Sequence, residues 1–216
     1  MKGDSIMKQE EYLHSLLHPA SNDVRELEKY AKEHNVPIME PLGIEFLMQL
    51  LRVHRPNNIL EIGAAIGYSA LRMVEALPES QIVTVERDEK RYEEAKQNIR
   101  LFGKEKQIHL LAGDALHIKE QIEAYGPFDF LFIDAAKGKY EDFFHLYSPL
   151  VSEHGIIVSD NVLFKGYVAD PSKAPERLEK MVSKIIKFNQ LLNEHPDYNT
   201  TIVPIGDGVA ITTRKS

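Results

Sequence analysis

The chain has 216 residues, 43% hydrophobic and 27% charged, a balance that excludes a mainly disordered or fibrous protein. It contains no cysteine, which excludes disulfides, thiolate zinc sites and cysteine nucleophiles, so any metal must sit on carboxylate, amide or imidazole groups. Lys and Arg number 26 against 33 Asp and Glu, a net charge of −7 that argues against a surface basic all round. No apolar run approaches the roughly 18 residues of a membrane span, and the N-terminus mixes acids with bases where a signal peptide is apolar. The expectation is a cytoplasmic protein of one domain over 1–216, with N-terminal helices over 1–57 and a sheet core over 58–216.

In chain order, three helices come first: Lys8 to Leu17, Asn22 to His34, and Pro41 to Arg55, the last opened by a first-turn proline. They are expected to form a cap or dimer surface. From residue 58 short β-branched runs alternate with amphipathic helical patterns, which is the signature of a parallel sheet with crossover helices. Strands are predicted at Asn58 to Ile62, Gln81 to Glu86, Ile108 to Ala112, Phe128 to Ile133 and Gly155 to Ser159. Helices are predicted between them at Tyr68 to Ala76, Glu89 to Phe102, His117 to Tyr125 and Tyr140 to Leu150. Two last strands, Thr200 to Pro204 and Val209 to Thr213, flank a Gly-Asp-Gly turn suited to a tight hairpin, so the final pair is antiparallel.

The segment Glu61-Ile62-Gly63-Ala64-Ala65-Ile66-Gly67-Tyr68-Ser69 falls where the first strand turns into a helix, at the carboxyl edge where open α/β sheets bind ligands. It has neither the third glycine of the pyrophosphate fingerprint nor the Lys-Ser/Thr of a P-loop, which leaves a cofactor without phosphates. Glu86, ending the second strand, stands where a carboxylate accepts from both ribose hydroxyls of an adenosine. Asp114, in Gly113-Asp114-Ala115, ends the third strand within reach of an adenine amino group. Each acid alone reads as a cap; at the ends of consecutive strands they read as a site.

On these residues the chain resembles the class I S-adenosylmethionine-dependent methyltransferases, over nearly all of 36 to 213. The resemblance implies a Rossmann-like fold, a seven-stranded mostly parallel sheet with an antiparallel C-terminal hairpin and an N-terminal helical cap. It also implies S-adenosylmethionine held by Met39, Glu61, Gly63, Gly67, Ser69, Glu86, Gly113, Asp114, Ala115 and Asp134. A narrower resemblance, carried by Ile133-Asp134-Ala135-Ala136-Lys137-Gly138-Lys139-Tyr140 and Ser159-Asp160-Asn161-Val162-Leu163, is to the cation-dependent O-methyltransferases of the catechol and caffeoyl-coenzyme A type. Asp134, Asp160 and Asn161 end the fourth and fifth strands, and three hard oxygen donors suit Mg²⁺ or another divalent cation. In that family these positions bind metal, the lysine matching Lys137 is the general base, with Asp134 beside it in the catalytic site, and a homodimer is expected.

For the acceptor, Ala135-Ala136 replace the bulky aromatic gate of the animal catechol enzyme. Within the family the nearer resemblance is to the bacterial tRNA 5-hydroxyuridine methyltransferases. It rests on Pro37-Ile38-Met39-Glu40, Glu61-Ile62-Gly63, Phe132 to Gly138, Asp160 to Gly166 and His195-Pro196-Asp197-Tyr198. That implies 5-methoxyuridine formation at the wobble position of a tRNA anticodon loop, whose unstacked base can enter a pocket. The alternatives are a small catechol or caffeoyl-CoA-like phenol as acceptor, or a non-catalytic adenosine- or RNA-binding module. Residues 165 to 187 carry a local charge of +3. Lys173, Arg177, Lys180, Lys184 and Lys187 recur at helical spacing, opposite an apolar side of Leu178, Met181, Val182, Ile185 and Leu192. This stripe reads either as a track for RNA phosphates or as a solvated face with a Glu176 to Lys180 pair. His54, His117 and His145 show no metal spacing and read as surface or cap residues.

Overall fold

The computed structural model of the chain describes residues 2–215, with side chains from residue 8. Three helices precede the sheet: α1 (Lys2–Leu16), α2 (Asn22–Glu33) and α3 (Pro41–His54). Ser21 caps α2 by accepting from the Val24 N–H, and Pro41 opens α3 where its missing donor costs nothing. Helix α1 begins at Lys2, earlier than the pattern from Lys8 suggests. Residues 8 to 16 are exposed along their length, so no buried face marks where that helix starts.

The core alternates β1 (Asn58–Ile62), α4 (Tyr68–Ala76), β2 (Gln81–Glu86), α5 (Glu89–Leu101), β3 (Ile108–Ala112), α6 (Lys119–Glu123), β4 (Phe128–Ile133), α7 (Tyr140–Tyr147) and β5 (Val151–Ser159). Helix α8 (Glu176–Glu194) then leads into the hairpin β6 (Tyr198–Val203) and β7 (Val209–Arg214). The sheet order is β3-β2-β1-β4-β5-β7-β6, parallel from β3 to β5 and antiparallel through β7 and β6. This is the Rossmann-like class I methyltransferase fold expected from the sequence, with its helical N-terminal region.

Side-chain alternation divides the core between the two faces. Ile59, Ile82, Phe130, Phe132 and Val158 face α2, α3 and α4, while Leu60, Ile62, Val83, Leu131 and Ile133 face α7 and α8. Strands buried on both faces need apolar residues at nearly every position, which is why β1 and β4 read as continuous runs.

Several boundaries move for local reasons. The helix expected over 117 to 125 shrinks to α6. The chain before it is spent on a turn, where Leu116 N–H donates to Asp114 Oδ1 and His117 N–H to the Asp114 carbonyl. The helix expected to reach Leu150 ends at Tyr147 and continues as a 3-10 turn through Pro149, whose ring cannot extend an α-helix. Strand β5 starts earlier, at Val151, because it pairs with Phe128 before an irregularity and resumes register at Phe130 with Ile156.

Candidate active site

Strand order reverses between β1 and β4, which makes their carboxyl ends the switch point where open α/β sheets bind ligands. Gly63 and Asp134 leave adjacent strands there, and Asp134 N–H donates to the Ile62 carbonyl at 3.0 Å. Gly63 has φ +108, and a Cβ at that position would collide with the main-chain oxygen of Asp134. Glycine is therefore required for the two strand ends to approach. A cavity of about 550 Å³ opens over this point, large enough for a cofactor and part of an acceptor.

Every residue predicted for the site except Glu61 and Gly67 lines this cavity. Gly67, at φ +81, supplies the left-handed turn that starts α4. Glu61 is fully buried on β1 and accepts from Ser69 Oγ and Thr84 Oγ1, both at 2.5 Å, so it sits behind the cavity wall that Ser69 forms. Burial raises its pKa to about 7 against the pull of those two hydroxyls, with Asp134 and Glu86 adding repulsion.

At one end of the cavity the Glu86 carboxylate accepts from three backbone N–H groups, Ala65 at 2.8 Å, Arg87 at 2.9 Å and Asp88 at 2.8 Å. Those bonds fix its orientation and leave one lone pair of Oε2 for a ligand. Asp114 caps its own turn through Oδ1, while Oδ2 stands 3.7 Å from Arg87. Both acids thus hold the structural roles a cap would have, and both also face the cavity.

At the other end Asp160 follows β5, tied to β4 by its N–H on the Ile133 carbonyl at 3.1 Å, and Tyr140 Oη donates to the Asp160 carbonyl at 2.9 Å. Burial pushes Asp160 up to about 7, with Asp134 next in effect; burial also raises Asp134, opposed by the charge of Lys137. Lys137 Nζ donates to Asn161 Oδ1. Among the described residues no three His, Cys, Asp or Glu side chains gather as a metal-binding group. The candidate set is two carboxylates and an amide. Those two carboxylates repel each other in a buried setting, and the Lys137 amine donates to the amide oxygen. This donor chemistry fits a hard divalent cation.

Some cavity residues carried no site assignment from the sequence. Arg87 and Arg91 flank the Glu86 end, and Phe164, Lys165, Gly206 and Asp207 wall the other. Arg87 directly follows an identified acid, which was the available signal. Asp207 lies 46 residues beyond Asn161 and showed only turn chemistry.

The basic stripe is partly rearranged. Lys173 lies in a 3-10 turn before α8 and pairs with Asp170 at 2.9 Å. Arg177, Lys180, Lys184 and Lys187 are exposed along α8, over a buried side of Val182, Ile185, Phe188 and Leu192. The Glu176 to Lys180 pair is not formed, and none of these four cations makes an ion pair among the described residues. Lys184 Nζ instead donates to the Gly138 carbonyl at 3.2 Å, beside Lys137. No helix among the described residues is long and apolar enough to cross a membrane.

A family model described as O-methyltransferase matches residues 14–215. A catechol O-methyltransferase of Niastella koreensis is 34% identical over 179 residues, 79% of this chain and 79% of the relative. A caffeoyl-CoA O-methyltransferase of Petroselinum crispum is 32% identical over 202 residues, 89% of this chain and 84% of the relative. The crystal structure of an O-methyltransferase from Bacillus cereus in complex with SAH matches with a TM-score of 0.83 at 29% identity, covering 95% of this chain and 96% of that one. Sheet order and switch-point cavity define a class I methyltransferase. The chain belongs to the O-methyltransferase family, and the protein is an S-adenosylmethionine-dependent O-methyltransferase.

Proposed function

We propose that the protein methylates one hydroxyl of a vicinal oxygen pair on a small phenol, a catechol or a caffeoyl-CoA-like compound, with a divalent cation held by Asp134, Asp160 and Asn161. The observation that carries this reading is the pair of raised, adjacent carboxylates meeting Asn161 and Lys137 at one end of a cavity whose other end presents Glu86 and Asp114. The relatives named for catechol and caffeoyl-CoA support the acceptor class.

In this reading the free lone pair of Glu86 Oε2 accepts from a ribose hydroxyl of S-adenosylmethionine, Asp114 faces the adenine, and the loop from Gly63 to Ser69 faces the methionine part. A bound divalent cation would supply Lewis-acid stabilisation of the acceptor oxyanion. Lys137, acting as its neutral amine, takes the hydroxyl proton at Nζ, and Asn161 holds that amine in place. The cavity walls hold the acceptor oxygen in line with the sulfonium methyl, so that transfer is a direct displacement.

A second reading has one observation in its favour. The four exposed cations of α8 are unneutralised among the described residues, and their row reaches the Lys137 loop through Lys184. That suits an acceptor presented on a polyanion, and 5-hydroxyuridine in a tRNA anticodon loop offers the same vicinal oxygens, its hydroxyl beside a carbonyl. One assay tests both readings: labelled methyl transfer to caffeoyl-CoA, to catechol and to hydroxyuridine-containing tRNA, each with Mg²⁺ and with excess EDTA. Turnover of a phenol that EDTA stops supports the first. Turnover confined to the tRNA replaces it by the second, and full activity in EDTA overturns the metal in both.

A further inference from the structure

The chain from Asn161 to Lys165 adopts a conformation it would not hold alone. Asn161 has φ +56, Phe164 φ +39 and Lys165 φ +55, three non-glycine residues in the left-handed region within five positions. Asparagine tolerates that region; phenylalanine and lysine persist there only when their surroundings over-determine them. The surroundings are the turn of the β6–β7 hairpin. Val162 N–H donates to the Gly208 carbonyl at 3.0 Å, and Leu163 and Phe164 N–H donate to the Asp207 carbonyl at 2.8 and 3.2 Å. Lys165 N–H donates to the Asp207 carboxylate at 3.1 Å. Four consecutive amides are thus captured by two residues. Gly208, at φ +87, completes the fit, since a Cβ there would run into the Leu163 side chain.

We infer that Asp207 is a positioning residue. Its carboxylate locks the loop that presents Asn161 to Asp134, Asp160 and Lys137, and that lays Phe164 and Lys165 along the acceptor side of the cavity. The inference rests on the cation reading above and deepens it, because it assigns the shape of the acceptor end to a hairpin turn remote in sequence. Only the Lys165 bond depends on the side chain, so substitution removes the lock without deleting the turn.

The test compares Asp207→Ala with Asp207→Asn, which keeps an oxygen acceptor but removes the charge. Amide exchange by mass spectrometry over 161–166, Mn²⁺ binding by paramagnetic resonance and SAH binding by calorimetry are read on each. In Asp207→Ala, exchange at Lys165 and its neighbours should rise at least about tenfold, the expectation for an amide that loses its acceptor. Mn²⁺ should bind severalfold more weakly, while SAH affinity stays near wild type. Asp207→Asn should restore both exchange and Mn²⁺ binding. Unchanged exchange in the alanine variant, no rescue by asparagine, or a matching loss of SAH affinity would each overturn the inference. Failure of the wild-type protein to bind Mn²⁺ would overturn the cation reading instead, and the positioning claim would then be decided by exchange.

Discussion

Glu61 offers a prediction whose sign is set by its burial. A carboxyl with a folded pKa near 7 binds its proton more tightly in the native state than in the unfolded chain, where the ordinary value is 4.5. Between those two values the native state holds more protons, so this group's contribution to stability is fully present below pH 4.5 and is lost as pH rises through 7. Glu61 is fully buried, so solvent does not screen the effect. A shift of that size corresponds to about 3 kcal/mol at 1.36 kcal/mol per unit. Glu61→Gln removes the titration and keeps an amide that can accept from one of the two hydroxyls, Ser69 or Thr84, and donate to the other. Denaturant unfolding of both proteins from pH 4 to pH 8.5 should show nearly equal stability at the acid end. The glutamine variant should gain as pH rises, to about 3 kcal/mol above wild type at the alkaline end. A difference that stays flat with pH, or a glutamine variant less stable at pH 8.5, would refute the reasoning and mean that the two hydroxyls hold Glu61 ionised.

The remaining predictions concern the reaction. Glu86→Ala should weaken S-adenosylmethionine at least about tenfold by calorimetry, because it deletes a charge-assisted hydrogen bond to the ribose; unchanged affinity would take Glu86 out of the site. Asp160→Ala or Asn161→Ala should abolish turnover while SAH binding persists, and turnover by either variant at the wild-type rate would refute the cation reading. Lys137→Met should cost roughly 10² to 10⁴ in rate, with the deficit shrinking as pH rises and the acceptor hydroxyl ionises unaided; a deficit constant across pH would leave Lys137 a positional role only. Lys180→Glu with Lys187→Glu should leave turnover of a small phenol near normal. On the polyanion reading the pair should weaken tRNA binding and reduce its salt slope by about one per lost contact, and an unchanged slope would return α8 to an ordinary solvated face.

The sheet could be read from sequence because each strand is a short apolar run between turn signals, and burial on both faces forces that pattern. The first four strand ranges match residue for residue, since register in a parallel sheet is set by the same apolar runs that reveal it. The N-terminal start of α1 was hidden for the opposite reason: residues 8 to 16 bury no face, so no period records where the helix begins. Helix ends failed where a single turn intervened, at Asp114 and at Pro149, because a local side-chain bond or a ring ends a helix without altering the apolar spacing around it.

The candidate site could be read from the residues themselves where they stand at strand ends, whereas Met39, Ser69 and Lys137 rested on the resemblance. Topology carries such positions to one edge whatever their spacing in the chain, which is how Glu86, Asp114, Asp134 and Asp160 could be gathered in advance. Glu61 lies on β1 two residues before Gly63, yet its side chain is buried behind the cavity wall, where Ser69 and Thr84 take up its two oxygens. A motif places a residue near a site; the partners its side chain meets decide which side of the wall it occupies. Asp207 marks the other boundary of what sequence can show. Its bonds to 163–165 join a hairpin turn to a loop more than 40 residues earlier, and nothing in either segment's pattern encodes the other. Only the sheet order, which sets β7 against β5, brings that turn beside Asn161. The Asn161 end of the cavity is therefore shaped by the antiparallel part of the sheet. For that reason variation in the hairpin turn is expected to alter acceptor choice while leaving the Glu86 end, built wholly from parallel strands, unchanged.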